Sequence, residues 1–130
     1  MIYLDSSALL KRVRREAETD ALGAWLSERP EAPLVTSEVG RVEVIRAARR
    51  IGGHVVPAAR AVVDDLDLVP LHRTVQDIAC ELEGPGLRTL DALHLASALV
   101  LGDELTVVVA YDRRRLAAAT AVGLPVESPA

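Results

Sequence analysis

Phenylalanine is absent from this 130-residue sequence, and two tyrosines and one tryptophan are its only aromatics. That scarcity excludes the stacked-aromatic platform on which many RNA-binding domains hold bases, so any nucleic acid would have to be read through its shape and backbone. Cysteine occurs once, as Cys80. It has no partner for a disulfide or a cysteine zinc site, and its simplest role is that of a small half-buried residue. No apolar run approaches the roughly 18 residues that span a bilayer. The opening MIYLDSSALLKR has no basic stretch followed by an apolar core and cleavage site, so a cytoplasmic protein without membrane contact is expected. A net charge of −4 argues against a surface that attracts polyanions as a whole.

What the chain does contain is the composition of a soluble globular protein: half its residues are apolar and 26% are charged. Its length suits one domain over 1–130, and no repeat, linker or low-complexity segment divides it. IYL (2–4) reads as a strand that ends at Asp5, and the serines after it offer caps for a helix through ALLKRVRR. Ala21, Leu22, Trp25 and Leu26 fall at helical spacing in a second helix over about 17–28 that stops before Pro30, with Trp25 as a core residue. LVT (34–36) is a further strand; Ser37 then caps a helix through EVGRVEVIRAARR that ends at Gly52-Gly53. In that helix Val39, Val42, Ile45 and Ala48 form the apolar stripe, with Glu43 at its edge. Pro57 opens a helix over 57–66, and DLVPL (67–71) makes an edge strand because of Pro70. A helix at about 73–83, a loop at GPG (84–86) and the helix of LRTLDALHLASAL follow. LTVVVAY (105–111) is a β-branched run suited to burial on both faces; Asp112, a last helix and a short LPVES strand close the chain. Strands alternating with helices imply a parallel sheet covered on both faces, with ligands beyond the carboxyl ends of the strands.

Four acids stand out in that layout. Asp5 and Asp112 leave the ends of inner strands, Glu43 borders an apolar stripe, and Asp91 opens a helix that is otherwise almost wholly apolar. Each has an ordinary explanation: Asp5 and Asp112 as helix caps, Asp91 in favourable interaction with a helix dipole behind a Thr89 cap, Glu43 paired with Arg46. Convergence would be costly, since two unit charges about 4 Å apart repel by roughly 4 kcal/mol at an effective dielectric near 20. Several carboxylates without a cysteine or histidine ligand set suit a hard, oxygen-seeking cation such as Mg²⁺ or Mn²⁺. Such an ion activates water and offsets charge on a scissile phosphate, which fits phosphodiester hydrolysis. His54, His72 and His94 have no metal-ligand spacing and read as structural. No nucleophile elbow, P-loop or dinucleotide fingerprint is present.

The segments YLDSSALLKR, EVGRVEVIRAARR, LRTLDALHLASAL and VVAYDRRRLAAATAVGLPV, in this order and at these separations, resemble the PIN-domain ribonucleases, most closely the VapC toxins of bacterial toxin–antitoxin pairs. The resemblance covers essentially the whole chain. It implies a three-layer α/β/α fold around a short, mostly parallel sheet, and an acidic pocket binding Mg²⁺ or Mn²⁺. By motif, the catalytic acids are Asp5, Glu43, Asp91 and Asp112, with Asp5, Asp91 and Asp112 on the metal and Ser7 supporting the site through hydrogen bonds. The implied activity is metal-dependent endoribonuclease cleavage of structured tRNA or rRNA. The implied partners are a small VapB-like antitoxin and a second copy of the chain, with DNA engaged only through the antitoxin complex. One departure is Ala110, where family members often carry Thr or Ser two residues before the fourth acid.

Basic clusters follow three of these acids: 11–15 after Asp5, 46–50 after Glu43, and 113–115 after Asp112. On this resemblance Arg46, Arg113, Arg114 and Arg115 would neutralise RNA phosphates and make binding strongly salt-dependent. Solvated helix faces are the ordinary reading of such clusters. Two competing functions remain: a catalytically weak PIN-fold module that binds the antitoxin and contributes to autorepression, and a phosphatase or receiver-type phosphoacceptor. A receiver would need paired acids after the first strand and a late lysine, whereas one acid, Asp5, stands there and the only lysine is Lys11.

Overall fold

A computed structural model describes residues 1–130. Five strands, β1 (Ile2–Leu4), β2 (Leu34–Ser37), β3 (Asp67–Val69), β4 (Val107–Val109) and β5 (Val126–Glu127), run parallel in the order β3-β2-β1-β4-β5. Seven helices connect them: α1 (Ser6–Val13), α2 (Thr19–Ser27), α3 (Glu38–Ile51), α4 (Val56–Asp64), α5 (Arg73–Glu81), α6 (Thr89–Leu99) and α7 (Arg113–Ala121). No helix is long and apolar enough to cross a membrane.

The period-2 alternation of the central strands sorts the side chains into two cores. Ile2, Leu4, Val107 and Val109 face α1–α4, where they meet Leu9, Leu22, Val44, Ala48 and Val63. Tyr3, Val35 and Val108 point the other way, to Val75, Leu95, Ala96 and Ala119 of α5–α7. The result is the expected α/β/α arrangement. Each fully buried Leu, Ile or Val removes enough apolar surface to stabilise the fold by about 1.5–3 kcal/mol.

Several boundaries and faces differ from the sequence reading. The β4 ladder covers only Val107–Val109, not 105–111, because its partner β1 offers three residues, Ile2–Leu4, before the chain turns at Asp5. In α3 the buried face is Gly40, Val44, Ile45 and Ala48, not Val39-Val42-Ile45-Ala48; Val42 is 53% exposed. Gly40 explains the rotation. A Cβ there would lie 2.4 Å from Thr36 Oγ1 and 3.3 Å from the His94 ring, so only glycine lets this helix pack so closely on β2. Arg88, not Thr89, occupies the cap position of α6. Cys80 is exposed rather than half-buried, and Trp25 packs at the margin of the first core beneath the Arg29 guanidinium, 3.9 Å from its ring centroid.

Candidate active site

The chain passes from β1 outward to β2 and β3, then returns to β4 on the other side of β1. The order therefore reverses between β1 and β4, and in open parallel sheets the crevice beyond the carboxyl ends of such strands is where ligands bind. Asp5 leaves β1 at that point and is fully buried. It caps α1: its Oδ1 accepts the Ala8 N–H at 3.0 Å and the Ser7 hydroxyl at 2.6 Å. Ser7 Oγ in turn accepts the Tyr111 N–H at 2.8 Å, tying the first helix to the segment that follows β4. With Oδ1 committed in this way, Oδ2 of Asp5 is left to face the crevice.

Asp91 stands in the first turn of α6, only 1% exposed. Its Oδ2 accepts the Arg88 N–H at 3.2 Å and lies 3.1 Å from Arg114 Nε. Glu43 approaches from α3, with Oε1 hydrogen-bonded to His94 Nε2. One group links all three acids. The Arg115 guanidinium places Nη1 3.2 Å from Asp5 Oδ2, and Nη2 3.2 Å from Asp91 Oδ1 and 3.9 Å from Glu43 Oε2. Asp112 leaves the same end of the sheet, but its Oδ1 accepts the backbone N–H groups of Arg114 and Arg115 at 2.9 and 3.2 Å as the cap of α7. The structure thus gathers Asp5, Glu43 and Asp91 on one cation and engages Asp112 with the adjoining helix.

The electrostatics follow from this pairing. Burial pushes the Asp91 carboxyl up, but the Arg88 N–H and the Arg115 and Arg114 guanidiniums outweigh it and hold Asp91 below the usual carboxylate range. For Glu43, too, burial is overcome, here by the His94 hydrogen bond and by Arg115, and its carboxyl is also held low. Burial works against the Arg115 charge, yet Asp5 and Glu43 raise its affinity for the proton. Asp91 and Glu43 are therefore ionised carboxylates at neutral pH.

That donor set fits a hard divalent cation: carboxylate oxygens from three separate elements already converge on a positive charge. No three Asp, Glu, His or Cys side chains are gathered tightly enough to hold an ion directly while the guanidinium lies between them.

Of the basic residues expected to face RNA, Arg46 and Arg113 are exposed, and Arg114 sits at the rim with its side chain 40% exposed. Arg115 is the correction. It is turned inward, with a side chain only 7% exposed, because the third residue of α7 faces the acids. In the 11–15 cluster, Lys11 is buried against Glu16 and Glu18, and Arg15 pairs with Asp20; neither cation is free.

Two site residues escaped the sequence reading. His94 is buried between Glu43 and Tyr3, whose hydroxyl is 2.8 Å from His94 Nδ1. An ionised carboxylate has no proton to donate, so Nε2–H donates to Glu43 and, in the neutral ring, Nδ1 accepts from Tyr3. Burial pushes the Tyr3 phenol far above its ordinary range, which keeps it a donor. The available signal was spacing, since Asp91 and His94 stand three apart on one helix and so share a face. Beside Glu43 a groove of about 740 Å³ opens over the exposed side of α3, floored by Val39, Val42, Leu71, Leu90 and Leu93 and rimmed by Arg46 and Arg50.

Comparison with known proteins is consistent along the whole chain. The PIN domain model matches residues 2–121. Ribonuclease VapC35 of Mycobacterium tuberculosis is 41% identical over 131 residues, covering 99% of this chain and 97% of the relative. Ribonuclease VapC47 of the same species is 42% identical over 134 residues, with the same coverage. Among solved structures, M. tuberculosis VapC20, described as a sarcin–ricin-loop-cleaving toxin, superposes with a TM-score of 0.79 at 18% identity, over 99% of this chain and 100% of that one. VapBC2 of Rickettsia felis, bound to a DNA fragment from its promoter, gives 0.74 at 13% identity and full coverage of both chains. At these identities the structural matches concern the fold.

Proposed function

Because the chain belongs to the PIN-domain family and, within it, to the VapC ribonucleases, we propose that it is a divalent-metal-dependent endoribonuclease, the toxin of a VapBC-type toxin–antitoxin pair. The observation that carries this reading is the meeting of Asp5, Asp91 and Glu43, from three separate elements, at the sheet's switch point.

Asp5 and Asp91, with Asp112 beside them, would hold Mg²⁺ or Mn²⁺. The ion, when bound, supplies activation of water for attack on phosphorus and neutralisation of the phosphodiester charge. The protein's own groups supply the rest. Ser7 fixes the Asp5 carboxylate, leaving Oδ2 directed into the crevice. His94, itself held by Tyr3, fixes Glu43, and as a half-buried carboxylate at the edge of the groove Glu43 is placed to accept a proton from the attacking water. Arg46 and Arg113 lie exposed to meet phosphates. Without an aromatic platform, selection rests on the shape of a structured RNA, such as a tRNA or rRNA site. Ala110 contributes no hydroxyl; its carbonyl accepts the Ser128 hydroxyl at 2.6 Å, and Ser7 alone provides the supporting hydroxyl on Asp5.

The partner reading rests on the groove. Its apolar floor suits the apolar side chains of a small antitoxin segment, and its mixed rim of Glu38, Glu43, Arg46 and Arg50 offers partners to charged side chains of either sign. Promoter DNA would be engaged through that antitoxin, and the chain, a single domain, would act as a homodimer. The test is cleavage of total bacterial RNA by antitoxin-free protein with Mg²⁺ or Mn²⁺ and with EDTA, beside Asp5→Asn and Asp91→Asn. Discrete metal-dependent fragments that vanish in both variants are expected. Folded protein that binds an antitoxin but cuts no RNA would instead establish a binding module.

A further inference from the structure

Arg115 does not fit the pocket as a purely structural clamp would. Its contacts with Asp5, Asp91 and the Ser6 hydroxyl are all 3.2 Å, long for charge-assisted bonds, which usually fall near 2.7–2.9 Å. Its Nε is buried without any hydrogen-bond partner. It also stands in the first turn of α7, where the helix dipole disfavours positive charge, and the last turn of that helix carries none. Only the three carboxylates account for its position. They, in turn, are each satisfied on one oxygen by Ser7 and the α1 backbone, by Arg88 and Arg114, or by His94, and each turns the other toward Arg115, with Asp91 Oδ1 also taking a longer 3.4 Å contact from Arg114 Nη2 at the rim.

We propose that Arg115 is the resident counter-ion of the acidic pocket: it holds the cation position in the metal-free protein and is displaced from it when a divalent ion binds. Loading then exchanges one cation for another at the same carboxylate oxygens. Four rotatable bonds separate the guanidinium from the backbone, so leaving the pocket requires rotation of the side chain and no unfolding of α7. This inference rests on the metal-site reading above and adds to it an internal competitor.

Mn²⁺ binding to the full-length, metal-stripped protein tests it by electron paramagnetic resonance and calorimetry, using the wild type, Arg115→Met, Arg115→Lys and Asp91→Asn. Arg115→Met is expected to bind Mn²⁺ about an order of magnitude tighter than the wild type, because the ion no longer has to displace a resident cation; that factor lies within the roughly 5–150-fold range typical of coupled binding equilibria. Its metal-free melting temperature should be lowered and then recovered by Mn²⁺. In the wild type, phenylglyoxal modification of Arg115, read by peptide mass spectrometry, should accelerate when Mn²⁺ is added. If Mn²⁺ binds the wild type but no tighter to either arginine variant, the exchange is wrong and the metal site stands. If Mn²⁺ binds none of the proteins, the metal reading itself fails. Should Arg115→Met not fold, unchanged Arg115 reactivity in Mn²⁺-loaded wild type overturns the exchange by itself.

Discussion

Two stretches of this chain share one plan and use it in opposite ways. Asp5 ends β1, caps α1 and is followed by the basic run 11–15; Asp112 follows β4, caps α7 and is followed at once by Arg113, Arg114 and Arg115. In the first stretch the cations turn to local partners. Lys11 reaches Glu16 and Glu18, and Arg15 reaches Asp20, each within nine residues along the chain. In the second, Arg115 reaches Asp5, 110 residues away, as well as Asp91 and Glu43. The position of the basic residue on its helix makes the difference. Arg115, in the first turn, lies beside the crevice at the carboxyl end of the sheet, whereas 11–15 lie a turn or more beyond Asp5 and have left it. A charge cluster in a sequence therefore specifies a sign, and the helical phase specifies what that charge does.

The comparison breaks most sharply at Arg115. Arg115→Met leaves buried carboxylates without their cation and should destabilise the metal-free protein by about 3–5 kcal/mol, the usual penalty for removing one partner of a buried ion pair, read by chemical denaturation. Arg15→Ala, at the matching exposed pair, should leave the denaturation midpoint where it is. If the two variants behaved alike, the distinction between the clusters would collapse.

Ser7→Ala comes next. It removes the hydroxyl that bonds Asp5 and strands the Tyr111 N–H, for about 1–3 kcal/mol of stability. As a support to a metal-holding carboxylate it should also lower Mn²⁺ affinity about 10–100-fold, while Ser6→Ala, which loses only a long contact to Arg115, should change affinity far less. Acid should sharpen the picture further. Asp91 and Glu43 have folded-state affinities for the proton below those of the unfolded chain. Their contribution is thus fully present above the ordinary carboxylate range of about 3.9–4.3 and is lost as pH falls through and below it. The metal-free melting temperature should therefore decline across that window, and the decline should be shallower in Arg115→Met, where the acids have lost the charge that keeps them low. Smallest in effect on stability is Arg113→Ala, an exposed side chain outside the pocket. Its expected signature is a reduced salt slope of RNA binding at unchanged melting temperature, measured by filter binding at several ionic strengths.

Much of the architecture was legible. Short β-branched runs bounded by acids and helix caps located the central strands, and Pro70 marked β3 as the margin of the sheet. Asp5 stands out in the sequence because it leaves the end of an inner strand, and Asp91 because it opens a helix that is otherwise almost wholly apolar. The face of α3 was not legible. Apolar spacing favoured Val39 and Val42, but Gly40 permits a closer approach to β2 and turns those valines to the groove. Nor was the partner of Glu43, since His94 lies 51 residues away on a different helix, α6, that only the packed fold brings beside α3.

By itself the sequence determined the alternation of strands and helices, the placing of carboxylates at the strand ends and the lack of an aromatic surface, because these depend on local periodicity, capping chemistry and composition. Only the tertiary structure decided which acids share a cation and which arginine supplies it. Those pairings depend on distances between elements far apart in the chain, fixed by how closely α3, α6 and α7 pack around the ends of β1 and β4.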